Sequence, residues 1–254
     1  MCAVRLKIGK QSFFNNADLL LPAIKDSQGN PIEDGVRAWL EQDYELAIVQ
    51  HNEVSGTRDG YDAKQLNKLL RKKMYSIGGI HGEVYVEHGA FLTKANKGFD
   101  FALFDEEYNI VKLRNAFVGN PGHFEGETPL LGLYAKVLNA DDSKYTKRRD
   151  WKAKLDSLCG TNGTNILYQK QRYTVVGELQ FGNWALGGHD LLRLLNSSID
   201  GEIDYYVYVT ATGDLQKGLS SNTVNFDKII GLFKENRQLL RTPTWVIGLD
   251  VKTV

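Results

Sequence analysis

Read for alternation of apolar and polar positions, the first half of the chain divides into short β-type runs and a few helical stripes. Val4, Leu6 and Ile8 alternate with Arg5 and Lys7, a period of two that predicts a strand over residues 3–8. The same argument predicts strands over residues 44–50 and 83–87. Residues 62–74 carry Leu66, Leu69, Leu70 and Met74 on one stripe behind Asp62, the pattern of a capped helix. Another helix is expected from near Glu33, with Val36, Trp39 and Leu40 on its inner side. Residues 53–60 read as a polar loop, and residues 99–104 with 109–113 as a hairpin.

In the second half, residues 165–169 and 173–181 read as two strands joined by the polar turn Lys170, Gln171, Arg172. A helix follows behind an Asp190 cap, with Leu191, Leu192, Leu194 and Leu195 as its apolar residues. Then come a strand over 204–210, a helix from about Asn222 carrying Phe226, Ile229, Ile230 and Phe233, and a last strand over 244–249. This order predicts an α/β (α+β) fold, a mixed central sheet flanked by helices. The first half reads as α+β in its own right, so the expected division is a module over 1–143 and a core over 144–254.

Composition narrows the functional classes. The chain has 254 residues, with 31 basic and 31 acidic side chains, so no global field attracts a polyanion and any nucleic-acid surface must be local. Cys2 and Cys159 stand far apart without Cys or His partners at ligand spacing, which argues against a zinc site and a disulfide framework. No stretch approaches the ~20 apolar residues that span a bilayer, and the expectation is a soluble, cytoplasmic protein.

Chemistry concentrates near residue 180. Glu178 and Gln180 are two positions apart on an apolar strand and so share a face. With the hairpin centred between Gln171 and Arg172, Asn165 falls opposite Glu178. The plain alternative is that these are exposed residues of an edge strand. Upstream, Lys144, Lys147, Arg148, Arg149, Lys152 and Lys154 surround a single acid, Asp150, with Tyr145 and Trp151 among them. Such a cluster contacts phosphates or is a solvated linker. The same two readings hold for Lys64, Lys68, Arg71, Lys72 and Lys73 on the 62–74 helix.

The run Gly177-Glu178-Leu179-Gln180-Phe181-Gly182-Asn183-Trp184, followed by His189-Asp190-Leu191, resembles the BglII-type restriction endonucleases of the PD-(D/E)XK nuclease superfamily, in their E-x-Q variant. The resemblance spans roughly residues 150–254. It implies a type II enzyme that hydrolyses phosphodiester bonds of double-stranded DNA with Mg²⁺ and a metal-bound water, working as a homodimer without an organic cofactor. It also implies that Glu178, the Leu179 carbonyl and Asn165 hold the metal, that Gln180 orients water or substrate, and that Asn183 contacts DNA. Lys147, Arg148, Arg149 and Lys152 would bind phosphates beside that site. Asn165 stands where the family has an acid, and a neutral amide oxygen is a poorer ligand for a hard cation. The alternative is therefore a weakened or inactive form that binds DNA without cutting it.

Overall fold

The structure is a computed structural model. It describes residues 2–53, 56–87, 89–93, 98–118 and 164–252. Ten strands are described: β1 Cys2–Phe14, β2 Asp43–Leu46, β3 Ile48–Glu53, β4 Gly56–Tyr61, β5 His81–Glu87, β6 Ala90–Thr93, β7 Phe99–Leu103, β8 Val175–Leu179, β9 Tyr205–Ala211 and β10 Thr244–Lys252. The helices are α1 Ala17–Leu20, α2 Ile32–Leu40, α3 Ala63–Met74, α4 Glu106–Val118, α5 Ala185–Gly201, α6 Gly213–Gly218 and α7 Phe226–Glu235, with a 3-10 turn at Leu21–Ala23.

Eight strands form one mixed sheet in the order β2-β1-β10-β9-β8-β7-β5-β6, with β8, β9 and β10 parallel and the other pairings antiparallel. This is the predicted α+β class, a mixed sheet flanked by helices. Strands from either side of residue 143 share this sheet, since β1 pairs with β10 and β7 with β8. Residue 143 itself lies outside the described residues.

Alternation along the central strands divides the core into two layers. Tyr205, Val207, Val209 and Ala211 of β9 join Val36, Trp39, Leu66 and Leu70 of α2 and α3 on one face. Tyr206 and Tyr208 join Leu191 and Leu194 of α5 and Ile229 and Phe233 of α7 on the other. Asp62 caps α3 as expected, accepting from the amides of Lys64 at 2.8 Å and Gln65 at 3.3 Å. Trp39 Nε1 donates to the Leu70 carbonyl at 2.8 Å and ties α2 to α3. Gly177 sits across from Phe101 of β7: a Cβ there would stand 2.1 Å from the Phe101 ring, so only glycine fits.

Four expectations are corrected. Residues 53–60 are not a loop, because β3 and β4 pair from Ile48↔Tyr61 to Glu53↔Gly56. Their polar sequence hid this, since a ribbon outside the main sheet has little core to face. Residues 109–113 belong to helix α4, whose first turn holds Glu106 and Glu107 behind Asp105, which accepts from the Tyr108 amide at 3.0 Å. Asp190 is not a cap; it lies inside α5, which starts at Ala185.

The hairpin expected of residues 165–169 with the E-x-Q strand does not form either. Residues 165–169 form no strand, and Leu167 is 95% exposed. The side chain of Asn115 satisfies this backbone instead: it accepts from the Ile166 amide at 2.9 Å and donates to the Ile166 carbonyl at 2.8 Å. The strand at β8's side is β7, brought there from more than seventy residues upstream.

Candidate active site

β8 is buried along its length between β7 and β9, and it ends at the residues singled out by the motif. The register Phe101↔Gly177, taken one step further, sets Asp100 against Glu178. Asp100 Oδ2 accepts from the Leu179 amide at 2.7 Å, and its other oxygen is bound by Arg71 of α3, which also holds Glu83. Two carboxylates thus sit on adjacent strands, and the one across from Glu178 is Asp100 rather than a group at position 165.

Glu178 does not line an open notch. It is 4% exposed, and its Oε1 is engaged by Arg193 from α5. Arg193 also reaches Asp190 Oδ1 at 3.4 Å. Asp190 Oδ2 accepts from Gln180 Nε2 at 3.2 Å and from the Tyr208 hydroxyl at 3.1 Å. Gln180 Oε1 in turn accepts from the Gly182 amide at 3.1 Å, which pins the loop that follows β8. The sequence motif is therefore a packed network in which α5 answers β8, one helical turn after another.

The charges do not balance. Glu83, Asp100, Glu178 and Asp190 face Arg71 and Arg193, an excess of two negative charges when all are ionised. Burial pushes the Asp100 carboxyl up to about 6, against the opposing pull of Arg71 and the Leu179 amide. Burial also holds Glu178 well above the usual carboxylate range; repulsion from Asp100 and Asp190 adds to this, and Arg193 opposes it. Asp190 is raised by burial, with Gln180 and Arg193 working the other way. Among the described residues, no group of three or more His, Cys, Asp or Glu side chains is arranged to hold a metal ion. Any cation here would rest on two carboxylates and main-chain oxygen, a set that suits Mg²⁺.

The remaining predicted residues separate. Leu179 is buried, and its amide belongs to Asp100. Asn183 is exposed just past β8, accepting from the Ala185 amide at 3.1 Å at the start of α5 and bridging to Thr223. Lys147, Arg148, Arg149 and Lys152 lie outside the described residues. Two further polar side chains, His81 and Arg114, are structural. His81 is buried, 3.1 Å from Glu106 and stacked on Phe104, and Arg114 is 1% exposed and donates to the Thr164 carbonyl. Asp100, Asp190 and Arg193 were missed as site residues. The signal for Asp100 was present: it is the only acid in the apolar run Phe99-Asp100-Phe101-Ala102-Leu103.

A mixed α+β sheet that gathers acids from adjacent strands at the end of an E-x-Q strand is in keeping with the nuclease class that the motif implied. The chain belongs to the restriction endonuclease BglII/BglIII family, whose family model matches residues 15–249. The solved restriction endonuclease BglII complexed with a DNA 16-mer is similar at 10% identity, over 98% of this chain and 78% of that one, with a TM-score of 0.47. A search of curated proteins finds no match.

Proposed function

We propose that the protein is a Mg²⁺-dependent, site-specific endonuclease of double-stranded DNA, with its centre between β7 and β8. The observation that supports this most is the placement of Asp100 against Glu178 on the strand carrying the family motif. Asn165 favours an inactivated form, and a carboxylate supplied by β7 supports the active one.

The donor set fits the cation. Asp100, Glu178 and the Leu179 carbonyl offer hard oxygens, and the cluster carries two uncompensated negative charges when its carboxyls are ionised. Mg²⁺ held there would screen the phosphate and lower the pKa of an attacking water. The chain's own groups do the rest. Gln180 is neutral and cannot take up a proton; its amide holds Asp190 and the 181–184 loop in place. Arg193 is about one-third exposed, so its guanidinium can leave Glu178 and turn to a phosphate. Asn183, at the exposed edge of the loop, faces DNA, and the cluster Lys147, Arg148, Arg149 and Lys152 holds backbone phosphates. Cutting both strands of a symmetric site calls for two such centres related by a two-fold axis, hence a homodimer.

The test is to incubate plasmid DNA with Mg²⁺ and either the wild-type protein or Glu178→Ala. Discrete fragments that disappear with the variant support the reading. Selective gel shifts without cutting by either protein would favour a non-catalytic binder, and neither cutting nor binding would end it.

A further expectation concerns α3, where Lys64, Lys68 and Lys72 are exposed one turn apart on the helix whose Arg71 reaches Asp100. Replacing all three by Ala should weaken binding to every duplex alike and flatten the dependence of log affinity on log salt by roughly 0.9 per lysine. An unchanged slope would assign these lysines to a solvated face.

A further inference from the structure

The ribbon formed by β3 and β4 takes no part in the eight-stranded sheet, yet it is fixed at a definite place. Its inner face packs on α6. Arg58 donates to the carbonyls of Lys217 and of Leu219, the latter at 2.8 Å. Gly60 lies so close to α6 that a Cβ would stand 2.2 Å from the Gly218 carbonyl oxygen, and a Cβ on Gly218 would stand 2.4 Å from the Tyr61 ring. His51 completes this face, its Nε2 lying 3.1 Å from the Tyr61 carbonyl.

α6 follows directly on β9, which runs parallel to β8 with Leu179 beside Val209. The ribbon is therefore anchored at the same end of the sheet as Glu178 and Gln180. Residues 219–224 connect the two places: Leu219 receives Arg58, Asn222 accepts from the Trp184 amide at 3.0 Å, Thr223 bridges to Asn183, and Val224 donates to Gly182 at 2.8 Å. Ser221 and Asn222 are exposed along this path.

The outer face of the ribbon carries a specific set of groups. Gln50 stands across from Asp59 and Asn52 across from Thr57, and all four are exposed, while His51 and Arg58 between them are partly covered and Gly60 is buried. Two amides at i and i+2, a hydroxyl and a carboxylate can match the donors and acceptors of base edges: an amide pairs with adenine N6 and N7, and a carboxylate accepts from cytosine N4. The set contains no cation, so it is not built to hold phosphates. Six residues extend about 20 Å, and a two-stranded ribbon fits the major groove, about 12 Å wide.

We propose that the β3–β4 ribbon reads duplex DNA in the major groove beside the cut, with Gln50 and Asn52 as the side chains that determine sequence preference. This deepens the nuclease reading and rests on it for the identity of the partner. The test selects bound duplexes from a randomised DNA pool using the full chain, wild type and Gln50→Ala/Asn52→Ala, with Asp100→Asn alongside. The wild type should enrich a short motif. The ribbon variant should keep the wild-type melting temperature and lose about 10- to 100-fold discrimination at A·T pairs of that motif. Gly60→Ala, which leaves the outer face intact but displaces its anchor, should weaken the same positions.

Enrichment of an unchanged motif at unchanged strength by Gln50→Ala/Asn52→Ala would overturn the proposal, and so would a wild type that enriches nothing. The nuclease reading fails separately. If no protein cuts the selected motif with Mg²⁺ while the ribbon variant alone loses selectivity, the ribbon's role stands without catalysis.

Discussion

Asp100→Asn should reduce Mg²⁺-dependent DNA cleavage by more than about 100-fold, because even an outer partner of a metal ligand is worth 10- to 100-fold and the proposed centre makes Asp100 a direct one. Asn165→Asp should leave the rate within about twofold of wild type. The contrast separates two placements of the second carboxylate. If position 165 were the ligand site, an acid there would raise activity and Asp100 would matter only for folding. In the structure, residue 165 lies in a segment without strand pairing, while Asp100 pairs its carboxylate with the amide next to Glu178. A cleavage time course with both variants, checked for folding by melting temperature, decides it; a gain from Asn165→Asp would move the site.

Arg193→Met should destabilise the metal-free protein strongly at pH 8 and much less at pH 5. Removing one partner of a buried ion pair costs about 3–5 kcal/mol, and because the Arg193 side chain is 35% exposed the cost at pH 8 should be nearer 1–3 kcal/mol. The sign follows from the carboxyls. The folded-state pKa values of Asp100, about 6, and of Glu178 lie above their ordinary values. Their contribution to stability is complete below the ordinary carboxylate range and is lost as pH rises through the folded values. Without Arg193 the ionised form of Glu178 is penalised further, so the loss grows with pH. Adding Glu178→Gln to Arg193→Met should restore most of the stability at pH 8. Thermal melts of the three proteins across this window test the point, and a pH-independent loss would mean that Arg193 acts through packing alone.

How much of this was legible in the sequence depends on whether a segment's partner is local. α3 was readable from Asp62 and its leucine stripe, and β9 and β10 from their apolar, β-branched runs, because one element's own pattern determines each. The E-x-Q strand was found for the same reason, and it ends at Glu178 and Leu179 as its pattern indicates. Its partner strand was not, because a tight turn at 170–172 suggested a hairpin while the true neighbour lies upstream of α4. Sequence proximity favoured residues 165–169, and the tertiary fold gave their hydrogen bonds to Asn115 instead. The site's arginines were also hidden. Arg193 reads as one polar position on an amphipathic helix and Arg71 as one of five cations on α3, and only packing shows that these two turn inward to acids. β4 escaped for the opposite reason, since its exposed alternation has no apolar face to announce it.

Asp100 and Glu178, on neighbouring strands, are proposed to hold a divalent cation together. Calorimetric titration of Mg²⁺ into the metal-free protein at pH 8 measures this without reference to activity. One site per chain is predicted, absent from Asp100→Asn/Glu178→Gln and weakened at pH 5, below the value of about 6 to which burial raises Asp100. Equal Mg²⁺ binding by the wild type and the double variant would contradict it.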